Sequence, residues 1–126
     1  MIRQQYHFRK VGDDTLIWDV KKIINLSKNL EPKQISLDKI KEFKTEYWYE
    51  LGDANPTCEG ITNHAKLINQ ADLSYPIILC KNGEILDGMH RVCKAHLLDH
   101  KTILAVQFKE SIKPDYINID PCELSY

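Results

Sequence analysis

The stretch Gly83-Glu84-Ile85-Leu86-Asp87-Gly88-Met89-His90-Arg91 passes from a strand pattern through a sharp break into a helical pattern. A helix that starts there presents backbone N–H groups and about half a positive charge, a natural site for an anion such as phosphate. Gly88 allows a backbone conformation closed to other residues and a close approach by a ligand. His90 and Arg91 add two donors in the first turn. Cations belong at the other end of a helix, so their placement is explained if a multiply charged anion binds. The chain has fourteen lysines and three arginines, and Arg91 is the only arginine after residue 9. Arginine is the side chain that grips phosphate with two parallel bonds. The competing account makes Arg91 a structural clamp on Asp87 or a cover for an aromatic ring, with Gly88 a plain turn glycine.

Other residues could do chemistry with weaker support. His64 lies beside the apolar face of a helical segment, at a cleft or as a hydrogen-bonded rim histidine. Trp48, with Tyr47 and Tyr49, could stack on a base or anchor a loop. Cys93 shares a helix with Arg91, where a nearby cation could lower its pKa. His96 and His100 are four apart, but no acidic or third histidine partner is close in sequence, so a solvated helix end is expected. The four cysteines, at 58, 80, 93 and 122, match no zinc spacing and are expected to be reduced and mostly buried.

These residues must be held by elements that the hydrophobic pattern outlines. Residues 75–80 read as a buried strand, Asn82-Gly83 as a hairpin turn and residues 84–86 as the returning strand. Val92, Ala95 and Leu98 mark the inward face of a helix over 89–98, and residues 101–108 form another strand. Upstream, residues 34–37 alternate as a short strand. Thr57 caps a helix that carries Ile61, Ala65 and Ile68 on one face. Residues 1–14 are expected to lie extended on the surface. Leu16, Ile17, Val20, Ile23 and Ile24 suggest a helix over 15–28, capped by Asp13, Asp14 or Thr15. The tail from residue 110 is expected to wrap loosely. The strands at 34–37, 76–80, 84–86 and 102–108 should share one sheet, with Ile77, Leu79, Val92, Ala95 and Leu104 in the core. Such an order indicates a small α+β (mixed α/β) single domain.

Composition narrows the function classes. The chain has 126 residues, enough for one core, with 43% hydrophobic and 28% charged side chains, so it is not a disordered polypeptide. Net charge is −1, and neither half concentrates positive charge, which weighs against a nucleic-acid-binding arm. Apolar runs stop at about four residues, against the roughly 20 of a membrane span. The first residues lack the apolar core of a signal peptide. A cytoplasmic location, with no membrane partner, is the expectation.

Residues 76–108, with the Asn-Gly hairpin and the Asp-Gly-Met-His-Arg turn between strand and helix, resemble the ParB/sulfiredoxin-like superfamily. Residues 35–40 look like that superfamily's first strand and following turn. The resemblance covers about residues 33–108; residues 1–32 form an N-terminal extension with a helix, and 109–126 a C-terminal tail. It implies one mixed sheet with helices packed on it, and nucleotide phosphates held by Gly88, Met89, His90 and Arg91. Met89 stands where sulfiredoxins carry their catalytic cysteine, so their reductase chemistry is not implied. ParB partition proteins have Glu there, a second Asn-Arg motif and a helix-turn-helix domain, all missing here, so a role in DNA partition is not implied either. The turn is most similar to that of free serine kinases, Asp-Gly-His-His-Arg. That likeness implies that Asp87 is catalytic and helps hold Mg²⁺, with ATP or CTP as the nucleotide and a small-molecule acceptor. The kinases' glutamate has no matching motif; Glu50, Asp53 and Glu59 are candidates by position. The alternative is a non-catalytic nucleotide-sensing or protein-interaction module.

Overall fold

The computed structural model describes residues 4–49 and 55–126. Glu50 and Asp53 therefore lie outside the described residues. The four strands expected to pair do so. They are β3 (Lys33–Ser36), β4 (Ile77–Leu79), β5 (Ile85–Asp87) and β6 (Thr102–Gln107), in the order β3-β6-β4-β5. β3 and β5 run antiparallel to their neighbours, and β4 and β6 are parallel. The parallel pair requires a crossover, supplied by helix α3 (Met89–Leu97) between β5 and β6.

Strand alternation splits the core in two. Ile77, Leu79, Ile85 and Ala105 pack with Met89, Val92 and Ala95 of α3 on one face. Ile78, Leu86 and Val106 point the other way and meet Trp18, Ile23 and Phe108. Leu104, expected in the core, is half-buried; its neighbours Ile103 and Ala105 take that role.

The N-terminal region departs from expectation. Residues expected to lie extended, and the start of the expected 15–28 helix, form a hairpin of β1 (Tyr6–Val11) and β2 (Asp14–Asp19). Gly12 turns it at φ 60°, the left-handed geometry that two-residue hairpins require. Helix α1 (Val20–Ser27) begins only after the hairpin, capped by Asp19 rather than by the earlier acids. The tail is also ordered. A two-residue strand, β7 (Tyr116–Ile117), adds to β2 and completes a second sheet, β1-β2-β7.

Helix α2 (Cys58–Gln70) is capped by Thr57 as expected, yet none of its residues is buried. It lies against α3 rather than on the sheet. Ile61 and Ala65 are exposed and Ile68 is half-buried, so the expected apolar face is not a core face. The cysteines also differ: Cys58 and Cys122 are exposed, and Cys80 and Cys93 half-buried. Among the described residues no helix is long and apolar enough to cross a membrane.

Candidate functional site

Strand β5 ends at Asp87, Gly88 turns the chain, and α3 starts at Met89. Gly88 adopts φ 119°. A Cβ built there would lie 2.6 Å from Ile77 Cγ2 and 3.0 Å from an Arg91 terminal nitrogen. Glycine is thus required by backbone geometry, as the sequence suggested, and also by packing against β4, which the sequence did not show. As N-cap, Gly88 supplies no capping side chain, and the first turn of α3 holds no acid.

The Arg91 guanidinium donates from Nη2 to Asp87 Oδ2 at 2.8 Å, with about a fifth of each side chain exposed. The clamp is formed, so the cation near the helix N-terminus already has an internal anion. Arg91 Nε, however, is buried without a hydrogen-bond partner. A buried unsatisfied donor costs about 1–3 kcal/mol, and few survive in native folds without an unseen partner.

His90 and His64 come together across α3 and α2: Nδ1 of His64 is 2.9 Å from Nε2 of His90. Trp48 stacks on both, at 3.9 Å from His64 and 4.7 Å from His90. Burial lowers the pKa of His64. Beyond them, His7 of β1 lies between Trp18 and Tyr47. Burial, with the Arg9 charge adding to it, pushes the His7 pKa down to about 3.

Two cavities meet at the turn. One, of about 620 Å³, is lined by His7, Tyr47, Trp48, His64 and the 87–90 segment. The other, of about 710 Å³, is lined by Asp72, Tyr75, Asp87, Gly88, His90 and Arg91 among others. Both are of ligand size. The structure thus brings Asp87, Gly88, Met89, His90 and Arg91 to one place. It adds His64 and Trp48 to the wall, where the sequence left each between two roles, and His7, which the sequence did not flag. Glu59 is exposed in the first turn of α2 and lines neither cavity. Burial raises the Cys93 pKa, the opposite of the lowering that a nearby cation could have produced. His96 stacks on Phe43 at 3.8 Å, and His100 lies beyond the end of α3.

The described carboxylates do not by themselves make a Mg²⁺ cage. Among the described residues, Asp87 is the one acid lining the first cavity, and it already accepts from Arg91. Among the described residues no three His, Cys, Asp or Glu side chains group to hold a metal. Mg²⁺ is bound through one or two carboxylates when phosphates supply the remaining oxygens, so here it would enter as part of a Mg²⁺-nucleotide.

No family model matches the chain, and no curated protein does. A solved structure described as the C2221 form of a Pnob8-like ParB-N domain is similar, with 20% identity and a TM-score of 0.37. The match covers 66% of this chain and 31% of that one, so this chain matches under a third of that protein's length.

Proposed function

We propose that the 87–91 turn binds the phosphates of a nucleotide, ATP or CTP with Mg²⁺. The observation that carries this reading is the buried, unpartnered Nε of Arg91 beside an N-terminus with no capping side chain. A phosphate oxygen would satisfy that donor and complement the helix dipole. The flat wall of Trp48, His64 and His90 supports the same reading, because every nucleobase has a face that stacks on such rings.

With two cavities meeting at the turn, a nucleotide and a small acceptor could be held together for phosphoryl transfer, which depends mainly on positioning and charge neutralisation. Asp87, released from Arg91 as phosphate takes the guanidinium, would accept the acceptor's hydroxyl proton. A specific observation favours a second reading, a non-catalytic nucleotide-sensing module: among the described residues one acid lines the Trp48 cavity, and it is already paired. Turnover of ATP and CTP with Mg²⁺, with and without a panel of small hydroxyl acceptors, separates the two. Nucleotide loss that depends on an acceptor and vanishes in Asp87→Asn supports transfer. Binding without turnover supports the sensor. Absence of both removes the proposal.

A further inference from the structure

His64 and His90 reach each other from different helices, and their 2.9 Å contact is a hydrogen bond between two imidazole nitrogens. Their ring centroids are 5.2 Å apart. Rings stacked on opposite faces of Trp48 would be separated by roughly the sum of their 3.9 and 4.7 Å stacking distances. Both imidazoles therefore lie on the same face of the indole, side by side.

A neutral imidazole pair of this kind holds one bridging hydrogen. Adding one proton turns the donor ring into an imidazolium and strengthens the bridge, as charge-assisted hydrogen bonds are the stronger ones. The indole face beneath also favours a cation. Opposing protonation are the burial that lowers the His64 pKa and the positive end of α3, on whose first turn His90 lies. Among the described residues, the other titratable or charged groups around the pair are Asp87 and Arg91 at the turn, Asp72 and Tyr75 in the second cavity, Tyr47 and Tyr49 on the loop, and Tyr6, His7 and Tyr126 across the first cavity. Of the two described carboxylates, Asp87 is paired with Arg91, and Asp72, which accepts from Ser74, stands across the second cavity. An anion at the turn would shift this balance by supplying uncompensated negative charge beside the pair.

We propose that His64 is a positioning residue that holds His90 against Trp48, and that anion binding at the turn draws one proton into the His64/His90 pair. The inference rests on the phosphate-binding reading above and adds proton linkage to it. By reciprocity, the anion must then bind more tightly as pH falls.

Sulfate is a suitable probe, since it keeps its charge across the range where histidine titrates. Ring resonances of His64 and His90 are followed by NMR as a function of pH, with and without sulfate. The expected result is a rise of about one unit in the pair's apparent pKa, equivalent to about tenfold tighter sulfate binding to the protonated form. His64→Phe, which preserves stacking, should flatten the pH dependence of sulfate binding. His64→Gln, which restores a hydrogen bond to His90, should recover wild-type affinity at high pH but not the dependence on pH. Sulfate binding with unmoved histidine titrations, or an equal pH dependence in wild type and His64→Phe, overturns the linkage and leaves the phosphate site standing. If neither sulfate nor nucleotide binds at any pH, the phosphate site itself fails and the linkage with it.

Discussion

At the residue scale the turn is a place where structural and functional demands coincide. Gly88 is fixed by its φ of 119° and by Ile77 Cγ2, 2.6 Å from where a Cβ would stand. Gly88→Ala is expected to cost roughly 2–5 kcal/mol through backbone strain and overpacking, measured by urea unfolding. Measured against Ile77→Ala alone, the added cost of Gly88→Ala should shrink to the backbone part, since the strained φ remains. Destabilisation under 1 kcal/mol in Gly88→Ala would refute the packing account. The Arg91 and Asp87 pair makes a related forecast. Partly exposed ion pairs are weaker than fully buried ones, so a double-mutant cycle of Asp87→Asn and Arg91→Met should return about 1–2 kcal/mol of coupling without ligand. Zero coupling would mean that Arg91 is held by something else. The sequence made these five residues visible because an Asp-Gly break before a helical pattern is a local signal. The Arg91 partner was legible only as one of two alternatives, because residue spacing permits an i, i+4 contact without forcing it. His64 and Trp48 could not be placed, since their meeting joins three segments distant in sequence.

At the scale of elements, the four-stranded sheet was legible and the three-stranded one was not. Residues 76–108 alternate, turn at Asn82-Gly83 and shift to helical spacing, each a short-range signal. The segment 14–19 instead joins onto α1 without a break, so its apolar residues blend into the helical spacing that starts at Val20. Its strand character comes from partners: β1 on one side and β7, about a hundred residues later, on the other. The tail is tied down by Asp115, which accepts from the Asp19 backbone N–H at 2.8 Å and from Lys22 at 3.1 Å. Trp18 adds a bond from its indole N–H to the Ile112 carbonyl at 2.9 Å. Asp115→Ala should cost about 1–2 kcal/mol and raise hydrogen exchange in residues 14–19. Exchange unchanged there would mean that the tail is not an integral strand.

For the whole molecule, the N-terminal hairpin and α1 complete a core on the far face of the central sheet rather than decorating it. His7, buried within this region, makes the assembly sensitive to acid. Its pKa is about 3 in the folded chain against 6.5 when exposed. Between those values the unfolded chain binds more protons, so stability rises with pH and is lost as pH falls below about 6.5. The loss should approach 1.4 kcal/mol per pH unit from this residue. Urea unfolding of wild type and His7→Gln at several pH values checks it, because the variant should lack that share of the slope. Identical slopes would place His7 in water.

The central claim is that Arg91 and the N-terminus of α3 hold nucleotide phosphate. Thermal melts of wild type and Arg91→Ala, each with and without Mg²⁺-ATP or Mg²⁺-CTP, test it most directly. Ligand at a hundred times its Kd stabilises the folded state by about 2.7 kcal/mol, so the wild-type midpoint should rise clearly with at least one nucleotide. Arg91→Ala, starting from a lower midpoint, should bind about ten- to a hundredfold more weakly and lose most of that rise. Equal ligand-induced shifts in the two proteins, or no shift in the wild type with either nucleotide, would contradict the account.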